Sequence, residues 1–249
     1  MLDHRARVLM NDFTTDTFFN GQIRVKQYRY GYRFAIDAVL LAYHARLSSG
    51  DRVVDLGTGC CIIPLILVYR NPGAKVYGVE VQEELGRLAA FNVQENCMSD
   101  RISILCRDLK TLNPDITSGP VDVVVSNPPY RKAQSGRVNP DQQRAIARHE
   151  IKVTLYDIVE ASRRLLHTSG RFITVYPAER TTDILMQMRS TRIEPKFLRM
   201  IHPGPSTDAK LVLVEGVKGG QPGIKIAPPL TIRRKDGSYT DEVKKMFIP

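Results

Sequence analysis

Three acidic residues end or closely follow short apolar segments, at a spacing that suits a single ligand site. Asp55 lies in the segment RVVDL, Glu80 ends KVYGVE 25 residues later, and Asp108 follows ISILC. If these segments are neighbouring parallel strands, their carboxyl ends meet at the sheet edge where such sheets bind ligands. Together the three carboxylates suit a nucleoside that carries a positive charge. Each one alone is also consistent with an exposed acid or, at Asp108, with the cap of a turn.

The residues around Asp55 read DLGTG, which indicates a ligand-binding loop. Gly57 and Gly59 permit positive φ and a close approach of the backbone, and the following helix would point its N–H groups at the ligand. A bare turn or a dinucleotide loop is the alternative. However, Ile62 occupies the third glycine position of a GxGxxG loop, and Asp55 would repel a pyrophosphate. A neutral or cationic ligand fits the loop better.

This set of residues resembles the class I S-adenosylmethionine-dependent methyltransferases over about residues 30–215. The resemblance implies that the loop from Asp55 to Gly59 cradles the methionine part of the cofactor, that Glu80 holds the ribose and that Asp108 lies by the adenine. The cofactor-binding residues expected on this basis are Asp37, Asp55, Gly57, Thr58, Gly59, Glu80, Val81, Asp108 and Asn127.

Asn127-Pro128-Pro129-Tyr130 ends a run of valines and is the candidate catalytic motif. Proline donates no ladder hydrogen bond and has a fixed φ, so the strand must end there on a rigid backbone. The Asn127 side-chain carbonyl and the Pro128 main-chain carbonyl can then accept both N–H groups of a planar nitrogen and direct its lone pair at a methyl group, while Tyr130 stacks on the planar group. Within the resemblance, this motif is specific to adenine N6 and glutamine side chains. A turn with a surface tyrosine is the alternative.

The flanking segments narrow the choice of substrate. GYRFAIDAVLLA, DLGTG, NPPY, ARHE and a near-terminal DGSYT together resemble the bacterial tRNA (adenine-N6)-methyltransferase family, whose best-known member acts on adenosine 37 of a valine tRNA. This chain has Ile36 where that family has a threonine before Asp37, so it lacks the hydroxyl that the family has at this position. The resemblance implies S-adenosylmethionine as cofactor and RNA, most specifically tRNA, as partner.

Three other functions are considered. A glutamine methyltransferase acting on a release factor uses the same motif, but it usually carries an extra N-terminal helical domain, and only about fifty residues precede DLGTG. A DNA adenine methyltransferase usually needs a larger target-recognition domain. A non-catalytic RNA-binding protein of the same fold would have no reason to keep Asn127.

The chain is basic, with 36 Lys and Arg against 26 Asp and Glu and a net charge of +10, which favours a polyanionic partner such as nucleic acid. Basic residues cluster before the first acidic strand end and after the asparagine motif. A plain polar loop is an equal alternative for the segment that contains Arg148 and His149. The candidate RNA contacts are Arg29, Arg33, Arg131, Lys132, Arg148 and His149.

Other features exclude several classes. The longest apolar stretch, CCIIPLILVY, is far shorter than the roughly 20 residues that span a bilayer, and the N-terminus lacks an apolar signal core. The four cysteines show neither CxxC spacing nor a histidine at ligand spacing, so we expect reduced thiols and no metal site. Cytoplasmic localisation is the expectation.

Short β-rich segments alternate with helical ones from about residue 50, which predicts an α/β fold with a Rossmann-like, doubly wound sheet. We expect seven strands, mainly parallel, with an antiparallel final strand. A helix over Asp37–Leu47, capped by Asp37, could close over the cofactor or simply pack on the sheet. The predicted organisation is an N-terminal segment over 1–48 on the substrate and cofactor side, a methyltransferase domain over 49–218 and an extended C-terminal tail over 219–249.

Overall fold

The computed structural model describes residues 13–30, 33–128 and 153–248. Five parallel strands form the centre of the sheet: β3 (Arg52–Leu56), β4 (Lys75–Glu80), β5 (Ile102–Cys106), β6 (Val121–Ser126) and β7 (Leu166–Pro177). Beyond β7, β9 (Leu211–Lys218) runs antiparallel and pairs with β8 (Ile193–His202). The predicted Rossmann-like sheet with an antiparallel final strand is therefore confirmed.

The strand count differs from the prediction. Within the described residues the sheet has nine strands in place of seven, because two-residue strands β10 (Lys225–Ile226) and β11 (Leu230–Thr231) pair in parallel with β8. The seven longer strands account for the expected core. The additions occur because β8 is otherwise an edge strand whose N–H and C=O groups the following chain can pair.

Helices cover both faces of the sheet. On one face lie α1 (Ile36–His44), α2 (Ile62–Arg70) and α3 (Glu83–Glu95), and on the other α4 (Leu155–Leu165) and α5 (Thr181–Ser190). Successive valines of the central strands enter opposite cores: Val53 packs with the first set of helices and Val54 with the second. This burial on both faces explains why these strands are almost continuously apolar.

The first helix begins one residue earlier and ends three residues earlier than the predicted Asp37–Leu47. Ala35 is its N-cap residue, so the prediction that Asp37 caps it is wrong. Asp37 instead lies in the first turn, where its carboxylate accepts a 2.8 Å hydrogen bond from the N–H of Ala38. A carboxylate in this turn still interacts favourably with the helix dipole.

A separate hairpin of β1 (Phe13–Phe18) and β2 (Ile23–Tyr28) packs on the helices of the first face. At the other end of the chain, α6 (Asp241–Lys244) buries Val243, and Phe247 stacks on Phe18 with ring centroids 6.0 Å apart. Both termini of the described chain thus join the core beside α1. The division at residues 48 and 218 stays a prediction.

Candidate functional site

Six of the predicted cofactor residues lie in or just after the last residues of β3 and β4: Asp55, Gly57, Thr58, Gly59, Glu80 and Val81. The carboxyl ends of these strands are adjacent because the two pair in parallel, with Leu56 opposite Val79. The N–H groups of Gly57 and Thr58 both donate 2.9 Å hydrogen bonds to the carbonyl of Val79. Gly57 and Gly59 adopt φ of 78° and 56°, a region that glycine enters without strain. The turn therefore exists in the form that the sequence predicts.

Asp55 is fully buried, and among the described residues neither of its carboxylate oxygens has a hydrogen-bond partner within 3.5 Å. The hydroxyl oxygen of the buried Thr58 also lacks a partner. Burial raises the pKa of Asp55 to about 7; the nearby Thr58 hydroxyl opposes this shift, and the Glu80 carboxylate adds to it. An acceptor in this state is costly unless a donor reaches it. The group that fits is a cation with N–H donors, as in the amino-acid part of S-adenosylmethionine.

Glu80 is held between the two loops. Its carboxylate accepts a 3.1 Å hydrogen bond from the N–H of Gly59 and a 2.9 Å bond from the N–H of Gln82. The side chain is buried, at 6% exposure, and each oxygen retains a second lone pair. A ribose, with two vicinal hydroxyl donors, matches this arrangement. Val81 lies beside it with 40% of its surface exposed, an apolar surface suitable for an adenine ring.

Asp108 caps the short 3₁₀ turn Leu109–Thr111, where its carboxylate accepts a 2.9 Å hydrogen bond from the N–H of Lys110. The capping alternative considered from the sequence is therefore observed. Asp108 also stays at the correct edge, because the N–H of the preceding Arg107 donates to the main-chain carbonyl of Glu80 at 3.0 Å. Its contact with adenine stays a prediction.

Asn127 and Pro128 follow β6 at the same edge of the sheet. The end of β6 is fixed on both sides: the Ser126 hydroxyl donates to the carbonyl of Leu56 at 2.9 Å, and the Thr174 hydroxyl donates to the carbonyl of Ser126 at 2.8 Å. Asn127 is 8% exposed, and its side-chain amide donates a hydrogen bond to the carboxylate of Asp37. The asparagine is thus held in place before any substrate binds.

Several predicted site residues lie outside the described residues: Pro129, Tyr130, Arg131, Lys132, Arg148 and His149. Two of the candidate RNA contacts, Arg29 and Arg33, are among the described residues, and Arg29 directly follows β2. Arg33 donates to the hydroxyl of Thr14 at 2.6 Å and to the carbonyl of Tyr28 at 3.1 Å, so it braces the hairpin. Their contacts with RNA stay predictions.

The structure also connects residues that are absent from the predicted site. Asn92 of α3 donates to the carbonyls of Lys26 and Cys60 and accepts from the N–H of Lys26, which ties the hairpin to the glycine loop. Asn92 continues the apolar face of α3, and an amide at such a position indicates a buried hydrogen bond, so the sequence did contain a signal for this residue. Gln27, buried in β2, gave no signal, because nothing local shows that its strand packs beside the loop.

The chemistry of metals and thiols is limited within the described residues. They contain no group of His, Cys, Asp and Glu side chains able to hold a metal ion. Burial raises the pKa of Cys60 to about 12 and raises the pKa of Cys61 well above its ordinary value, so both thiols stay protonated at neutral pH. Every helix in these residues is too short or too polar to cross a bilayer.

Fold, glycine loop, buried acids and asparagine together define a methyltransferase that uses S-adenosylmethionine as cofactor. Residues 34–191 match the methyltransferase small domain family. The chain belongs to this family.

Two kinds of known protein resemble the chain. A tRNA1(Val) (adenine(37)-N6)-methyltransferase from Porphyromonas gingivalis is 31% identical over 244 residues, which cover 94% of each protein. A relative of the same name from Trichodesmium erythraeum is 28% identical over 223 residues, which cover 89% of this chain and 91% of the relative. Among solved structures, a predicted O-methyltransferase from Agrobacterium tumefaciens has a TM-score of 0.68 at 23% identity and covers 84% of this chain and 94% of that one. The geranyl diphosphate C-methyltransferase of Streptomyces coelicolor, in complex with S-adenosyl-L-homocysteine, has a TM-score of 0.52 at 14% identity, covering 73% and 78%. At these identities the solved structures show the fold alone.

Proposed function

We propose that the chain transfers a methyl group from S-adenosylmethionine to the exocyclic N6 of an adenine in tRNA, near the anticodon. The observation that carries the proposal is the buried Asn127, placed at the sheet edge that holds Asp55 and Glu80. The curated relatives that span nearly the whole chain carry the name of this activity.

The substrate nitrogen needs acceptors more than it needs a base. The lone pair of an adenine amine is delocalised into the ring, so two acceptors for its N–H groups increase electron density on nitrogen and orient it. The Asn127 carbonyl oxygen and the Pro128 main-chain carbonyl would serve, and Tyr130 would stack on the ring. Because the Asn127 amide N–H groups face Asp37, the carbonyl end is the end left to accept from substrate.

The cofactor, when bound, supplies an electrophilic methyl group on a sulfonium. Asp55 and Thr58 would hold its charged amino-acid part, Glu80 its ribose and Asp108 with Val81 its adenine. After transfer, the methylated nitrogen carries a positive charge and is acidic enough to lose a proton without a strong base. These residues therefore bind and orient the cofactor and the substrate, and none of them has to remove a proton first.

The charge of the chain agrees with an RNA substrate. A net charge of +10 attracts the phosphate backbone, and a loop adenine costs less to extrude than one in a duplex. Arg29, Arg33 and the four basic or histidine candidates between residues 131 and 149 would contact the RNA. With tRNA as the substrate, cytoplasmic localisation is part of the proposal.

The test is incubation of the purified protein with labelled S-adenosylmethionine and unmodified total tRNA, followed by nucleoside analysis by mass spectrometry. The expected result is N6-methyladenosine in tRNA, absent when Asn127→Ala protein is used. If tRNA stays unlabelled while a release factor gains methylglutamine, the chemistry of the asparagine motif stands and the tRNA substrate is wrong.

A further inference from the structure

Gln27 stands out among the buried polar groups. Four buried side-chain atoms in the described residues have no hydrogen-bond partner: both carboxylate oxygens of Asp55, the hydroxyl of Thr58 and the amide oxygen of Gln27. The first three belong to the glycine loop that holds the cofactor. Gln27 comes from β2, on a different segment of the chain, and is 2% exposed.

The orientation of the Gln27 amide is fixed by chemistry. Its Nε2 donates to the carboxylate of Asp16 in the paired strand β1. A carboxylate can only accept, so the amide nitrogen must face Asp16 and the oxygen must face the other way. The alternation along β2 buries Ile23, Val25 and Gln27 on one face, so the oxygen points toward the core side of the hairpin.

The hydrogen bonds of Asn92 place this end of the hairpin beside the glycine loop, and the electrostatics of Cys60 agree with that placement. Asn92 bonds to the main chain of Lys26 and to the carbonyl of Cys60, the residue after Gly59. The carboxylates of Asp16 and Asp55 both act on the Cys60 thiol. The Cys60 thiol therefore interacts electrostatically with two carboxylates: that of Asp16, which is the hydrogen-bond partner of Gln27, and that of Asp55.

The missing partner of the Gln27 oxygen must be a donor. Two cations of this region are engaged within the described residues: the Lys26 ammonium lies 4.8 Å from the centroids of Phe13 and Phe91. Arg33 bonds to Thr14 and Tyr28 and pairs with the Asp16 carboxylate at 3.5 Å. All four unpartnered atoms can accept, and an ammonium with three N–H donors is the group that such a set suits.

We infer that Gln27 is a cofactor-binding residue, whose amide oxygen accepts a hydrogen bond from the α-ammonium of the amino-acid part of S-adenosylmethionine. Asp16 orients the amide, and Asn92 holds its strand against the loop. This inference rests on the proposed use of the cofactor and extends the site to the N-terminal hairpin. It assigns a role to a residue outside the recognised motifs.

Calorimetric titration with three ligands tests it without turnover. S-adenosylhomocysteine carries the α-amine, its deaminated analogue lacks only that group, and 5′-methylthioadenosine lacks the whole amino-acid part. Gln27→Met keeps the approximate shape and removes the acceptor. We expect it to weaken S-adenosylhomocysteine binding by about tenfold or more while the two truncated ligands bind as to the unaltered protein within about twofold.

Controls separate the ways in which this can fail. Gln94→Met, on the exposed side of α3, should change nothing, and Gln27→Leu provides a second variant if thermal melting shows that the first is misfolded. Equal binding of S-adenosylhomocysteine to variant and unaltered protein, or an equal loss for all three ligands, overturns the role of Gln27. If the unaltered protein binds none of them, the proposed function itself is wrong.

Discussion

The N–H of Gly59 donates a 3.1 Å hydrogen bond to Oε2 of Glu80, which links the loop after β3 to the end of β4. The same carboxylate accepts from Gln82 through its other oxygen. One side chain thus shapes two loops and still has lone pairs for a ligand. Its role in folding and its proposed role in binding the cofactor are consequently coupled.

Replacing Glu80 by alanine is expected to weaken S-adenosylhomocysteine binding by about tenfold or more, because two ribose hydroxyls lose a charged acceptor. The melting temperature of the unliganded protein should also fall by a few degrees, since two main-chain N–H groups lose their partner. Glu95→Ala, at the exposed end of α3, is the matched control. Calorimetry and thermal melting measure the two effects, and normal affinity would remove Glu80 from the site.

Asp55 makes the stability of the unliganded protein depend on pH. Burial raises its pKa from 3.8 to about 7, so between these values the folded state holds a proton that the unfolded chain releases. The stability of the folded state therefore falls as pH rises toward 7. About three units of pKa correspond to roughly 4 kcal/mol at most.

Asp55→Asn should remove this dependence. The quantity to measure from pH 5 to 8 is the melting temperature of the variant minus that of the unaltered protein. We expect this difference to rise with pH and to level off above about pH 7. Cofactor binding should behave in the opposite way: the unaltered protein binds S-adenosylhomocysteine more tightly as Asp55 ionises, while the variant binds weakly at every pH. A constant difference in melting temperature across this range would contradict the assignment.

The hydrogen bond from Asn127 to Asp37 predicts a division between binding and turnover. Asn127→Ala should reduce methyl transfer by about 100-fold or more and leave S-adenosylhomocysteine affinity nearly unchanged, because an acceptor acting in the transition state is lost. Asp37→Leu should lower kcat as well, since the Asn127 amide is then free to rotate. Asp37→Asn keeps an acceptor oxygen and should retain most of the activity. Single-turnover rates with saturating cofactor distinguish these variants.

The sequence predicted those parts of the fold that local pattern determines. β3, β4 and β5 have the predicted bounds, because continuous apolar segments flanked by polar turns leave little choice of register. The glycine loop and the acids at the strand ends followed from the same pattern. All of these lie within a few residues of a strong apolar signal.

What the sequence did not predict depends on contacts between distant segments. The hairpin β1–β2 is polar along much of its length, and its buried Gln27 acquires meaning only from packing beside Cys60. The two short strands after residue 219 exist because β8 offers a free edge, and α6 forms where its Val243 can be buried. Such features depend on tertiary contacts, and the sequence of these segments shows no periodicity that would predict them.

Asn92 offers a test of how the hairpin is attached. Its amide replaces a strand partner: it accepts from the N–H of Lys26 at 2.9 Å and donates to the carbonyls of Lys26 and Cys60 at 2.8 and 2.9 Å. Asn96, one turn later, makes the same pair of bonds to Arg24 at an exposed position. The buried member should contribute more, because its loss leaves main-chain groups without water or a partner.

We therefore expect Asn92→Ala to lower the free energy of unfolding by about 2 to 4 kcal/mol and Asn96→Ala by about 1 kcal/mol or less, as measured by urea denaturation. Asn92→Ala should also weaken S-adenosylhomocysteine binding, because the hairpin that carries Gln27 is no longer held to the glycine loop. Asn96→Ala should bind it normally. Equal destabilisation by the two variants would show that burial of the amide is not what holds the hairpin. If Asn92→Ala lowers stability but leaves the affinity for S-adenosylhomocysteine unchanged, the hairpin does not contribute to the cofactor site.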